Sequence, residues 1–375
     1  MRIGIITFHA SLNCGSMLQA FALQNVLAEK YGAEVEIINY SNWGQRNYYA
    51  NWDWFLRPAV LRSNIKALFH YDAIEKMRTD YLEFENQYLN LTPKLMKHKH
   101  ELNGIDKNYD IVVAGGDQVW NVRCRDADDA YFLSFVKNAK KVAYSPSLGA
   151  RNINTECINP GKYAKLVKDF DYLSVREDNG QKWLKELTGI EVPIVADPTV
   201  LLTGNEWCEK LNIPEVDGNF ILYYAFYYSN EENNKILKEV SEKYNMPIYI
   251  IDGKQWTINK LDQYGIRLWE KSGPIGFLTL MRNAKMVLVQ SFHGIVFSAL
   301  FHKTFWSLRN TVIKNKNDDR AKVILRQTGL EKRAIRYTDL LTQNLLEPVD
   351  YTQVDINLQK MREEAYSYIE RFLNE

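Results

Sequence analysis

Cysteine is scarce and scattered in this chain: Cys14, Cys124, Cys157 and Cys208 stand far apart among 375 residues, with no CxxC pair. That argues against a disulfide framework and against a zinc site, and a reducing cytoplasm is the expected setting. An excess of charge is missing as well. Lys+Arg 47 against Asp+Glu 46 leaves a formal charge of +1, so no general affinity for nucleic acid or an anionic membrane is expected, and any anion must be held by a local arrangement. No apolar run approaches the roughly 18 residues of a spanning helix. The opening "MRIGIITFHA" has few apolar residues before His9 and no small-residue cleavage site, so neither secretion nor a membrane span is expected. Repeats and low-complexity tracts are also absent. What remains is a chain too long for one ordinary core, which implies two domains and a cleft between them.

The hydrophobic pattern alternates between short apolar runs and helical spacing. "RIGIITF" reads as a strand, "MLQAFALQNVLAEKYG" as a helix stopped by Gly32, and "AEVEIINY" as a second strand, a β-α-β unit that implies a parallel sheet. "YDIVVAGGD", "KKVAYSPSLGA", "DYLSVRED" and "EVPIVADPTVLL" continue the strand series. A second series starts near residue 219 with "NFILYYAFYY", "MPIYIID" and "KMVLVQS" as strands between helical segments. The fold class expected is α/β, with two doubly wound domains over 1–205 and 206–345. Residues 346–375 form a long final helix, with Val354, Leu358, Met361, Ala365, Ile369 and Phe372 on its apolar face and Lys360, Arg362, Glu363 and Glu364 on the other.

Polar residues gather where strands end, the place where open α/β sheets bind ligands. "NCGS" offers Asn13, Gly15 and Ser16 at a helix start, either an anion or polar-ligand loop or a tight turn capped by Ser16. "GGDQVWN" supplies Gly116, Asp117, Gln118 and Asn121, and "SPSLGA" supplies Ser147. Arg176 follows the "SV" strand and either clamps an anion through its planar fork or pairs with Glu177 or Asp178. Arg320 carries the same two readings. Trp43, Trp52 and Trp54 offer ring faces for a sugar, or for packing. Of six histidines, His293 is best placed, between a buried strand and a helix with Gly294 beside it and Ser291 before it, and His9 is second. His70, His98, His100 and His302 fall on exposed or helical segments.

Taken together, "GIITFHASLNCGSMLQAFALQ", "GGDQVWN", "SLGA", "SVRED", "ADPTVLL" and "GPIGFLTLMRNAKMVLVQSFHGIVFSALFHKTF" occur in the order in which the polysaccharide pyruvyl transferase family carries its motifs, and the chain resembles that family up to about Phe305. The resemblance implies a fold similar to GT-B glycosyltransferases, two Rossmann-like domains facing across a cleft, with a last helix that crosses back to the first. It implies transfer of a pyruvyl group from phosphoenolpyruvate to two hydroxyls of a saccharide, in bacterial surface polysaccharide (capsule) biosynthesis. A lipid-linked acceptor at the inner membrane face fits that role. His293 falls on the family's acid/base position and Arg176 on its anion clamp. No cofactor or metal is implied beyond the donor substrate. Two departures stand out. The family often has an Asp where this chain has Gln290, and some members have an Arg where this chain has Ser291. A GT-B glycosyltransferase using a sugar nucleotide and a noncatalytic glycan-binding protein are the alternatives.

Overall fold

From Ile3 onward the first apolar run is buried, and it forms β1 (Arg2–Ile6) in the computed structural model, which describes residues 1–50, 71–309 and 320–375. The chain then enters α1 (Cys14–Asn25), adds one π turn over Val26–Lys30, and stops at Gly32. The stop has a cause: Gly32 adopts φ +67, open to a residue without Cβ, and the N–H groups of Gly32 and Ala33 close the last turn on Ala28 and Leu27. β2 (Glu34–Ile37), β3 (Ile111–Gly115) and β4 (Lys140–Tyr144) complete a four-stranded sheet of order β2-β1-β3-β4, parallel throughout. α2 (Tyr71–Tyr88) buries Ile74, Met77, Tyr81 and Phe84, with the Phe84 ring 6.2 Å from Phe21 of α1.

The two further strands expected from "DYLSVRED" and "EVPIV" are reduced to single parallel bridges, Val142 with Tyr172 and Val175 with Ile194. The Ser174 hydroxyl explains this, because it accepts from the Ser145 N–H at 2.8 Å and donates to the Ala143 carbonyl at 2.7 Å, taking partners a ladder would have used. Pro193 beside it has no N–H to give.

The second sheet contains β5 (Ile221–Tyr224), β6 (Ile248–Ile250), β7 (Ile266–Leu268), β8 (Met286–Val289), β9 (Phe305–Leu308) and β10 (Ala334–Ile335), all parallel, in the order β10-β9-β8-β5-β6-β7. α3 (Gly273–Asn283) and α4 (Phe292–Leu300) lie on either side of β8 in sequence. Between the sheets in the chain, Trp207 is fully buried, with its ring 5.7 Å from Phe21 of the first domain and 5.2 Å from Phe297 of the second. One apolar cluster therefore runs through both domains, and truncating Trp207 would cost about 3–5 kcal/mol.

The last helix, α5 (Thr352–Asn374), buries Val354, Leu358, Ala365, Ile369 and Phe372, with Met361 half-buried. Arg362, expected on its outer face, is instead buried, because its Nε donates to the Val200 carbonyl at 3.0 Å. Tyr368 donates to Ala143 O at 2.9 Å and Lys140 donates to Phe372 O at 3.1 Å, so α5 is bonded to the first sheet. No helix among the described residues is long and apolar enough to cross a membrane.

Candidate active site

β8 ends at Val289, and Ser291 caps the helix that follows. Its hydroxyl accepts from the Gly294 N–H at 2.9 Å, and a Cβ on Gly294 would lie 2.8 Å from that same hydroxyl oxygen. Ser291 and Gly294, expected to touch substrate, thus build the turn that presents His293. Gln290 is structural as well. Its carbonyl oxygen accepts from the Phe226 N–H at 3.1 Å and its NH2 donates to the Tyr337 hydroxyl at 2.9 Å, so an amide here ties the turn to β5 and to the chain after β10.

His293 projects from the second residue of α4 against the first domain. A Cβ on Gly15 would stand 2.0 Å from its Nδ1, so only glycine at position 15 leaves room for the ring. Its Nε2 lies 3.5 Å from Asp197 Oδ2, beyond ordinary hydrogen-bond length, and has no hydrogen-bond partner among the described residues. The side chain keeps 11% of its exposure, less than a residue standing free in a cleft.

Asp197 is the hub. Its Oδ1 accepts from the Thr199 N–H at 3.0 Å and the Thr199 hydroxyl at 2.7 Å, while Oδ2 accepts from Arg176 at 2.9 Å and faces His293. Burial pushes the Asp197 carboxyl up, but the His293 ring, the Arg176 guanidinium and the Thr199 N–H outweigh it and leave the group well below the usual carboxylate range. Arg176 is buried too, and its Nε donates to Glu177 at 3.1 Å while the guanidinium stacks over Phe292 at 4.2 Å. Burial lowers its pKa, and the facing carboxylates of Glu177 and Asp197 more than reverse that, so it stays charged. Arg176, expected as an anion clamp, is 3% exposed and faces two carboxylates of its own chain. Two of its donors are spent on Glu177 and Asp197, and it positions Asp197.

The remaining residues interlock around this hub. Asn13, and not Ser16, caps α1, accepting from the Ser16 N–H at 3.2 Å. The Ser16 hydroxyl donates to Asp117, whose backbone sits at φ +49 after Gly116 at φ +61. A Cβ on Gly116 would lie 1.7 Å from the Gln19 side-chain oxygen. Ser147 donates to Glu177, and its oxygen accepts from the Gly149 N–H at 2.9 Å. Gln118 accepts from Asn121 at 3.1 Å, and both press on Gly149. The structure thus gathers Arg176, Glu177 and Ser147 into one hydrogen-bonded group with Asp197, places Gly15 and His293 against it by contact, and uses Gln118 and Asn121 to stabilise the loop behind it.

Two residues were missed by sequence reasoning. Asp197 sits in "ADPT", where Asp before Pro-Thr reads as a turn cap, which it also is. Asp126, buried in the loop after "GGDQVWN", has its carboxyl pushed up to about 6 by burial, with Asp117 adding to the effect. His9 is fully buried, donating from Nδ1 to the Thr7 carbonyl at 3.2 Å, and burial lowers its pKa, so it is a core residue. Burial likewise pushes the Cys14 thiol up to about 12, away from nucleophilic use. Arg320 opens the helix Arg320–Thr328, half-buried. Trp43 is exposed, and Trp52, Trp54 and His70 lie outside the described residues.

Solved structures share the architecture. UDP-GlcNAc 2-epimerase from Neisseria meningitidis, bound to UDP-GlcNAc, is 14% identical with a TM-score of 0.55 over 100% of both chains. The enzyme from Methanocaldococcus jannaschii is 15% identical with a TM-score of 0.54 over 98% of this chain and 100% of its own. At that identity the likeness is one of fold, two parallel-sheet α/β domains of the GT-B type with a C-terminal helix. No curated protein matches the chain. Residues 13–311 match the family model described as polysaccharide pyruvyl transferase, a span that takes in Gly15, Arg176, Asp197 and His293, and the chain belongs to that family.

Proposed function

We propose that the protein is a pyruvyl transferase that moves the pyruvyl group of phosphoenolpyruvate onto two hydroxyls of a saccharide, in the cytoplasm, during synthesis of a bacterial surface polysaccharide. The observation that carries this reading is the meeting of two helix amino ends at one histidine. His293 stands in the first turn of α4 and its ring lies on the first turn of α1 at Gly15. Both dipoles favour an anion there, and phosphoenolpyruvate carries a carboxylate and a phosphate.

Ketal formation needs a proton delivered to the donor's methylene carbon, which leaves an oxocarbenium-like centre at the carbon bearing phosphate. One saccharide hydroxyl attacks that centre and loses its proton to a base. The C–O bond to phosphate then breaks, and the second hydroxyl closes the ring, its proton leaving with phosphate or a base. Histidine can exchange a proton in this way near neutral pH. The Asp197 carboxylate faces the ring and complements its charge when protonated, and Arg176 and Thr199 hold that carboxylate in place.

Purified protein incubated with phosphoenolpyruvate and candidate glycans should release phosphate and yield a glycan heavier by one pyruvate ketal, read by mass spectrometry. Transfer from a sugar nucleotide in place of phosphoenolpyruvate overturns the reading, as does glycan binding that never leads to turnover of any donor.

A further inference from the structure

A cleft of about 310 Å³ opens between the domains where β1, β5 and β6 end. Leu12 and Asn13 line it from the first domain with Tyr48, and Phe226, Asp252 and Gln255 line it from the second. Phe226 and Tyr48 are about half exposed, at 47% and 53%, and while Arg125 stacks over the Tyr48 ring at 5.1 Å, the Phe226 ring offers an apolar face beside carboxylate and amide groups, a combination suited to a sugar ring. The cleft is tied to the candidate site at both sides. Asn13 caps α1, and the Phe226 N–H donates to Gln290, three residues before His293.

Leu12, Tyr49 and Tyr81 also line a second cavity of about 280 Å³, which continues into the first domain between the loops after β1 and β2 and α2. Its character is different. Arg46 and Arg78 line it, and among the described residues neither guanidinium forms an ion pair. Among the described residues each donates to a backbone carbonyl alone, Arg46 to Ser41 at 3.0 Å and Arg78 to Tyr49 at 3.4 Å. Ser11 and Ser41 line it too, both 2% exposed, with hydroxyls that have no partner among the described residues. Among the described residues the one acidic side chain on its wall is Glu85, whose carboxyl burial pushes up to about 7, so its charge is weakened near neutrality. Two arginines with spare donors beside unpaired hydroxyls match an oxyanion.

We propose that this pair of cavities binds an anionic saccharide, with the sugar ring in the interdomain cleft and its phosphate or carboxylate between Arg46 and Arg78. Calling this saccharide the acceptor rests on the pyruvyl transferase reading, whereas the binding does not. Reach supports the assignment, since the cavities share three lining residues and a single glycosyl unit with its anionic substituent extends across such a boundary.

The test is calorimetric titration of the whole protein, without phosphoenolpyruvate, with hexose 1-phosphates, hexuronates, neutral methyl hexosides and inorganic phosphate. Anionic sugars should bind about tenfold or more tightly than neutral ones, and the preference should weaken with salt. Arg46→Gln and Arg78→Gln, each checked for an unchanged melting profile, should remove the preference, whereas Phe226→Ala should weaken all sugars and leave inorganic phosphate unaffected. The hexose phosphates and hexuronates decide between the two anions. Equal binding of neutral and anionic sugars, or a preference that survives both arginine variants, overturns the proposal. Failure of phosphoenolpyruvate turnover with the charge preference intact overturns only the transferase reading and leaves the anionic-saccharide site supported.

Discussion

Gly15→Ala tests the site more sharply than removal of any functional side chain, because it adds one methyl and deletes nothing. The new Cβ would lie 2.0 Å from His293 Nδ1 and 2.4 Å from Cγ, where ordinary contact begins near 3.4 Å, so the ring must retreat by about 1.4 Å. It cannot retreat without moving relative to Asp197, now 3.5 Å from Nε2. Displacement of a reacting group by about 1 Å costs on the order of 10²-fold in rate. Stability should change much less, since crowding costs about 1–3 kcal/mol and replacing glycine in α1 returns up to about 1 kcal/mol of helix propensity. Gly4→Ala is the matched control, as its Cβ would meet the Tyr109 ring at 2.8 Å, away from the site. Phosphate release from phosphoenolpyruvate with an acceptor glycan, read beside thermal melts, separates the two. If Gly15→Ala turns over like wild type, or if Gly4→Ala loses as much activity at equal stability, the catalytic role proposed for His293 beside α1 is refuted.

Other substitutions probe the hub and its surroundings. His293→Gln should lower turnover by roughly 10²-fold to 10⁴-fold with the fold intact by circular dichroism, because it removes proton exchange and keeps a polar side chain of similar reach. Asp197→Asn should destabilise by about 3 kcal/mol, since it leaves Arg176 buried with Glu177 as its remaining carboxylate. Because the folded Asp197 pKa is depressed, that deficit should hold across pH 5 to 8 in denaturant titrations and shrink only in strong acid, as the wild-type carboxyl protonates. Glu85 behaves in the opposite sense. Its raised pKa means that ionisation penalises the folded state as pH rises from its ordinary value of 4.5 through about 7. Glu85→Gln should therefore match wild type in stability near pH 4.5 and gain up to about 3 kcal/mol by pH 8. A constant offset at all pH values would contradict the burial argument.

The fold was legible wherever a strand is a plain apolar run. β1, β3, β4, β5 and β8 are buried along nearly their whole length, and parallel strands covered on both faces have to be apolar on both. The reading overshot at residues 171–178 and 191–202 because apolar content shows burial but not who supplies the hydrogen bonds. There Ser174 bonds with its side chain and Pro193 has no N–H, and neither effect leaves a mark on hydrophobic periodicity. β10, two residues long, is too short to carry a pattern at all. Arg362 shows the same limit on a helix: its position on the wheel is polar, but its long stem lets the charged end reach the Val200 carbonyl of another segment.

The site was legible as positions and not as partners. His293, Arg176 and Gly15 each stand out at a strand end, which is a local property. What they do depends on Asp197, 21 residues from Arg176 in sequence, and the structure alone brings the three elements together. Arg176 illustrates the consequence. Its residue type promises a clamp for a substrate anion, and in the fold two of its donors go to carboxylates of its own chain, where they position Asp197. On the pyruvyl transferase reading, an anionic donor would draw positive character from the two helix starts beside His293. At Ser291, where some relatives resembled in sequence carry arginine, the serine hydroxyl caps α4 by accepting from the Gly294 N–H. Replacing Ser291 with arginine would add a cation at the cost of that cap, and would loosen the turn that presents His293.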